Sequence, residues 1–293
     1  MSELLAESAL PPPLLGRALS LSKERIGDFG QKVYYFTKLE STNDVALQMA
    51  HAGAGHGTTV IAETQISGRG REGKSWFSPP GVGLYVSVVF KEFEVRDTDL
   101  NFGDKVQKLA PGLTLMAGVA LTEAIRLVSS LPVELKWPND VVIQGSSFNS
   151  SGKNYRQKLG GILTEASTID GNLNYAVVGF GLNVHETKFP EELAAVAASL
   201  ETELGRSVDS TELLVEVLAS LSSWYTKFRN DGLVSILDRW RELSPSARGI
   251  VVRWQDSTGF REGVTAGIDD DGALLIRIGC ETERFISGEL IWS

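Results

Sequence analysis

Gln65-Ile-Ser-Gly-Arg-Gly-Arg-Glu-Gly-Lys-Ser-Trp-Phe-Ser-Pro-Pro-Gly81 satisfies two nucleotide-binding patterns as text and the structural frame of neither. Gly68 to Ser75 spells G-x-x-x-x-G-K-S, and Gly68, Gly70 and Gly73 spell G-x-G-x-x-G. Both patterns need a strand before the glycines and a helix opening straight after them, because the helix N-terminus supplies amide donors to phosphate. Thr58 to Glu63 reads as the strand. After the loop come two prolines and a glycine, which make a turn, and then Leu84 to Phe90, which reads as a second strand. Strand, loop, strand excludes a P-loop NTPase and a dinucleotide fold.

The chemistry of the loop survives that exclusion. Arg69, Arg71 and Lys74 are spaced by glycines that let backbone approach a ligand closely. Guanidinium groups make paired hydrogen bonds to phosphate oxygens, so the loop suits a polyanion. A solvated basic hairpin tip would carry the same residues. Against a net charge of −9, from 28 basic and 37 acidic residues, a cluster of cations edged by Trp76 stands out. That overall charge argues against a general nucleic-acid surface. The single cysteine, Cys280, excludes an intramolecular disulfide and reads as a buried apolar residue. His51, His56 and His185 lack metal-ligand spacing. The opening residues have no basic n-region, and no apolar run reads as a membrane span, so a cytoplasmic protein without membrane contact is expected.

Residues 1–30 include Pro11-Pro-Pro13 and read as an N-terminal tail. Residues 31–245 read as a mixed α/β catalytic domain. The pattern predicts a strand at Val33–Phe36, a short helix from the cap-rich Ser41-Thr-Asn-Asp44 to about His51, and a buried helix over 113–131 with Pro111 at its entry. Short strands are predicted at 133–136, 141–144, 158–166 and 172–180, with 145–152 a polar loop or hairpin tip. Helices come next at 190–203 and from Asp209 or Ser210 through Phe228, with Glu212 placed for a capping box. Residues 246–293 alternate in short segments around Asp269-Asp-Asp-Gly272 and read as a small antiparallel barrel. Trp137 and Trp224 read as core.

Four more segments join the glycine loop: Ser41-Thr-Asn43, Lys136-Trp-Pro-Asn-Asp140, Lys158-Leu-Gly-Gly-Ile-Leu163 and Gly179-Phe-Gly-Leu-Asn183. In this order and spacing the chain, over roughly 33–293, resembles the biotin protein ligases of the type without an N-terminal DNA-binding domain. About thirty residues precede the pattern, too few and too proline-rich for a winged helix. The resemblance implies an α+β fold, a mixed central sheet with flanking helices of the class II synthetase-like biotin/lipoate ligase type, plus a C-terminal SH3-like β-barrel. It implies that biotin and ATP are joined as biotinyl-5′-AMP and that biotin then passes to one lysine of a biotin carboxyl carrier protein. It implies Mg²⁺ with ATP, no DNA partner, and an assembly for which a homodimer is one option.

Carried over position by position, the resemblance places Ser41, Thr42, Asn43 and Gln65 at the biotin head group, whose ureido ring needs both donors and acceptors. Gly68, Arg69, Gly70, Arg71, Lys158, Gly160 and Gly161 would line the rest of the biotin path. Arg69, Arg71 and Lys158 would meet the carboxylate–phosphate junction. Lys74, Trp76, Lys136, Asn139 and Asn183 would lie along the nucleotide, Trp76 as a wall against adenine. Arg71, Lys158 and Asp140 are the implied catalytic set, with Asp140 near Mg²⁺ or near the attacking lysine. The family's loop often carries a third arginine where this chain has Lys74, which keeps the charge and loses the planar fork. A lipoate–protein ligase shares the architecture, but an apolar dithiolane gives little reason for the polar set around Gln65.

Overall fold

The computed structural model describes residues 7–91, 102–148, 154–170, 172–256, 259–288 and 290–292. Seven strands make one mixed sheet: β1 Val33–Phe36, β2 Thr59–Ala62, β3 Gly83–Phe90, β4 Glu134–Lys136, β5 Asp140–Phe148, β6 Asn154–Ile169 and β7 Asn172–Asn183. Their order is β1-β2-β3-β7-β6-β5-β4. β1 and β2 pair in parallel, and each other neighbouring pair is antiparallel. The helices are α1 Pro13–Leu21, α2 Lys23–Ile26, α3 Thr42–His51, α4 Phe102–Ser129, α5 Glu191–Ala194, α6 Leu200–Leu204, α7 Ser210–Asp231 and α8 Val234–Leu243.

Strand periodicity decides which face of the sheet holds what. Leu84, Val86, Val88 and Phe90 of β3 join the large core with α4 and α7, while Val89 joins the smaller core under α3. Ser87, one of the intervening positions, hydrogen-bonds α3. The ligand-sized cleft lies on the α3 side, so its floor is a sheet face whose opposite side is fixed by the main core.

Several expectations need correction. Residues 13–30 are not a tail: α1, α2 and a 3₁₀ turn at Gly27–Gly30 bury Leu15, Leu19, Ile26 and Phe29 in the main core. Proline suits the first turn of a helix, and here Pro13 is the first residue of α1. α4 starts well before residue 113, with Pro111 inside it rather than at its entry. Its Leu109–Ser129 part is apolar and long enough to cross a membrane, although no run suggested this in sequence. Within the molecule 72% of that window is buried, as a core helix requires. The helix expected over 190–203 is broken: α5 and α6 flank a parallel bridge from Ala197 to Lys158. The 145–152 loop falls partly outside the described residues, and Gly145–Phe148 extends β5 instead.

The C-terminal strands are β8 Arg248–Asp256, β9 Gly259–Ile268, β10 Leu274–Ile278, β11 Glu281–Phe285 and β12 Ile291–Trp292, in antiparallel order β11-β10-β9-β8-β12. This sheet is consistent with the expected SH3-like module. Among the described residues β11 and β12 do not pair, so no closed barrel forms there. Cys280 is exposed, not buried, because it sits in the tight turn between β10 and β11. Val252, Trp254, Ile268, Leu274 and Ile276 belong to the same core as α4 and α7. The buried Trp137 indole donates to the Gly272 carbonyl at 3.0 Å, and Ser244 Oγ to the Leu135 carbonyl at 2.7 Å.

Candidate active site

A cleft of about 700 Å³ runs over β6 and β7, walled by the 65–77 loop, the turn after β4, the 189–197 segment and the C-terminal residues Gly288, Leu290, Ile291 and Trp292. One end is neutral and polar. Gln65 Oε1 accepts from the Thr42 backbone N–H at 2.8 Å and lies 3.1 Å from its hydroxyl. Its Nε2 donates to Ser78 Oγ at 2.9 Å. Beneath, Ser87 Oγ stands 2.8 Å from Thr42 Oγ1 and 2.6 Å from Asn43 Oδ1. Asn43 Nδ2 donates to the Leu163 carbonyl at 3.2 Å and to Glu165 at 2.9 Å. Ser41, Thr42 and Asn43 are all buried. α3 begins here because Ser41 is extended and Thr42 enters helical geometry, but Ser41 makes no side-chain cap.

The other end is cationic. Arg71 Nη1 donates to Asn139 Oδ1 at 3.3 Å, and Lys158 Nζ pairs with Asp140 Oδ1 at 2.7 Å. Adjacent residues, Asn139 in the turn and Asp140 opening β5, therefore hold the two cations. Asn139 is itself tied to β6, its Nδ2 donating to the Ile162 carbonyl at 2.7 Å. The placement of Lys158 comes from a bulge. Val141 pairs with Gly160 but Val142 with Lys158, which leaves Leu159 as the extra residue, buried in the main core. A bulge re-aims the side chains around it, so Gly161 and Lys158 both face the cleft although three residues apart.

Trp76 lies across β6 and β7, its ring 5.2 Å from Lys158 Nζ. A Cβ on Gly181 would overlap the indole, and one on Gly161 would crowd it at 3.2 Å. These glycines admit the tryptophan. Trp76 Nε1 is buried without a hydrogen-bond partner. The loop is a small hairpin, with Gly70 N–H donating to the Lys74 carbonyl at 2.6 Å and Trp76 N–H to the Gly68 carbonyl at 2.8 Å. Burial pushes the Tyr85 phenol above its ordinary value, and its hydroxyl donates to the Pro79 carbonyl at 3.1 Å, fastening the turn.

Two expected ligand residues sit differently. Arg69 is turned to the neutral end, pairing with Asp44 at 2.7 Å and with Glu165. Asn183 is buried, and its Nδ2 donates to the Ala198 carbonyl at 3.1 Å, with the Lys158 carbonyl 3.4 Å away. It works here as a strut between β6 and the 184–198 segment. Gly68 and Gly160 face the chain's own atoms: a Cβ on Gly68 would press on Ser78 and Trp76, and one on Gly160 on Leu182. Lys136 lines the cleft with its Nζ 5.4 Å from the Trp292 ring; Lys74 and Gly70 also line it. Sequence reading missed Glu165, Asp44 and Ser87, each polar and set into helix or strand with no local pattern. It also missed Phe189 and Val196, and Gly288, Leu290, Ile291 and Trp292, which are brought in only by tertiary folding.

Glu201 ties the chain after β7, which leads into the cleft-lining 189–197 segment, to α6. His185 Nδ1 at 3.0 Å, then the amides of Val208 and Glu186, keep its carboxyl down at about 2. Among the described residues no group of three or more metal-ligating side chains forms.

A mixed sheet carrying this two-ended cleft, with a five-stranded sheet beside it, defines a ligase-type catalytic fold. Residues 34–183 match the Biotin/lipoate A/B protein ligase family, and the chain belongs to it. It is 30% identical over 290 residues to the biotin–[acetyl-CoA-carboxylase] ligase of Mycobacterium tuberculosis, covering 96% of this chain and 97% of that one. It is 28% identical to the bifunctional ligase/repressor BirA of Bacillus subtilis, over 89% of this chain and 74% of the relative. Among solved structures, the biotin protein ligase from Aquifex aeolicus in complex with biotin and ATP aligns with a TM-score of 0.71 at 25% identity, over 90% of this chain and 99% of that one.

Proposed function

We propose that the chain joins biotin to ATP as biotinyl-5′-AMP and transfers biotin to a lysine of a biotin carboxyl carrier protein. The observation that carries this reading is the convergence of Arg71 and Lys158 on the neighbouring Asn139 and Asp140, at one end of a cleft whose other end offers the uncharged groups of Thr42, Asn43 and Gln65. The ureido ring belongs with Thr42, Asn43 and Gln65, and the carboxylate with the cations.

The first step brings two anions together. A biotin carboxylate oxygen bonds to the α-phosphorus, the bond from that phosphorus to the α–β bridging oxygen breaks, and the electron pair leaves with pyrophosphate. Arg71 and Lys158 offset the repulsion and stabilise charge growing at phosphorus. Trp76, lying over the glycine floor, covers the junction and limits access of water to the mixed anhydride. In the second step the neutral amine of the carrier lysine bonds to the carbonyl carbon, the bond from that carbon to the phosphate oxygen breaks with its electron pair leaving on AMP, and the nitrogen gives up one proton. Asp140 is the carboxylate we assign to that incoming amine. Arg69 supports the head-group end through Asp44 and Glu165 rather than the junction. The donor set does not fit a dedicated Mg²⁺ cage, since Asp140 Oδ1 is taken by Lys158; Mg²⁺ fits better as the companion of ATP, held by phosphate oxygens and water. The catalytic unit of this reading takes in the helices of residues 13–30 as well as 31–245, and the 245/246 division separates two sheets that share one core.

The test is ATP–pyrophosphate exchange with biotin and, separately, with lipoate, combined with mass spectrometry for biotinyl-5′-AMP and for a carrier domain gaining one biotin. Exchange with lipoate alone would replace the biotin reading by the lipoate one.

A further inference from the structure

None of the residues described so far is assigned to the β- and γ-phosphates, yet pyrophosphate must also be held. Strand β6 orders the cleft along its length. Glu165 and the Leu163 carbonyl meet Asn43 at the neutral end, and Gly161 and Lys158 lie at the junction. Arg156 lies two residues further on the same strand, about 6–7 Å beyond Lys158 at the usual strand rise, and on the same face by the period of two. It lines the same cleft as Lys136 and Lys158. The side chain is 27% exposed, and its buried Nε makes no hydrogen bond, facing Glu134 only at ion-pair distance. Among the described residues its ion contact is Glu134, at 3.5 Å. A half-buried arginine held by one long ion contact, with its fork in the cleft, is set for an anion, since that fork matches phosphate oxygens.

We infer that Arg156 binds the terminal phosphates of ATP and the departing pyrophosphate. The inference rests on the ligase reading above: with the α-phosphate at Lys158, the next anionic groups along β6 are the β- and γ-phosphates. Arg156 thereby sets which way the triphosphate points and places the bridging oxygen opposite the attacking carboxylate. Glu134 is the carboxylate that occupies the guanidinium while no phosphate is bound and is displaced from it on binding.

The experiment compares Arg156→Gln, Arg156→Lys and Glu134→Gln with the unaltered chain in ATP–pyrophosphate exchange, and separately in transfer from preformed biotinyl-5′-AMP to a carrier domain. Loss of a charge-assisted phosphate contact raises KM for ATP and for pyrophosphate by roughly 10- to 100-fold in Arg156→Gln. KM for biotin and the transfer step stay unchanged, Arg156→Lys falls between, and Glu134→Gln lowers KM for pyrophosphate. Unchanged ATP and pyrophosphate constants overturn the proposal, as does a defect confined to the transfer step, which would assign Arg156 to acidic groups of the carrier. Should Arg156→Gln fail to fold, by circular dichroism, Glu134→Gln alone decides: an unchanged KM for pyrophosphate overturns the proposal. Absence of biotin-dependent exchange in the unaltered chain would instead sink the ligase reading itself.

Discussion

Asn139 and Asp140 are consecutive, and each holds one cation of the junction, so the geometry of two long side chains depends on one short turn. A preorganised donor aimed at growing negative charge is worth about 10²–10³ in rate. Arg71→Ala is therefore expected to slow biotinyl-5′-AMP formation by that factor, read by exchange, while the melting temperature stays put. Arg71 packs in no core, which is why the fold is indifferent to it. At the neutral end the decisive residue has no side chain. A Cβ on Gly179 would land within the Asn43 amide and 3.0 Å from Ser87 Oγ. Gly179→Ala pushes Asn43 off Glu165 and Leu163, a repacking cost of about 1–3 kcal/mol. The expected outcome is a weaker Kd for biotin by titration calorimetry with little change for ATP; equal losses for both would mean that the sheet, not the pocket, had moved.

At the scale of elements, the bulge at Leu159 and the 184–201 segment do the positioning. Glu201 collects His185, Val208 and Glu186 around one carboxylate, joining the end of β7 to α6. Its pKa is depressed in the folded chain, so its contribution is complete above the ordinary value near 4.5 and is lost as pH falls through about 2. Thermal melts of the native chain and Glu201→Gln should differ at pH 6 and converge towards pH 2. A difference that persists unchanged to pH 2 would assign the effect to packing. Sequence reading reached the strands of the sheet, because alternation and turn residues are local, and it reached the helix start at Asp209 or Ser210; the cap is Asp209, whose carboxylate accepts from the Thr211 and Glu212 amides. It reached the motif residues that now line one cleft. It could not reach the break of 190–203, because Ala197 leaves helix to pair with Lys158, a residue distant in sequence. Nor could it see that Arg69 turns to Asp44 and Glu165: a charge pattern names the partner type and not the partner.

For the molecule as a whole, the core does not stop at residue 245. Trp137, from the turn beside the cleft, donates to Gly272 in the C-terminal sheet, and Leu115 of α4 meets the same glycine. Calorimetry should therefore show one unfolding transition rather than two. Trp137→Phe leaves the buried Gly272 carbonyl without its donor, a cost of about 1–3 kcal/mol that should lower that single transition. Separate transitions for the two sheets would contradict the shared core.

Of the six tryptophans, Trp137, Trp224, Trp240 and Trp254 are buried, while the two with water-accessible rings, Trp76 and Trp292, both line the cleft. The protein thus carries its own label-free optical probe. Acrylamide or iodide reaching the indoles should quench mainly these two, and filling the cleft should shield them, so small-molecule occupancy can be screened by intrinsic fluorescence without any substrate turnover.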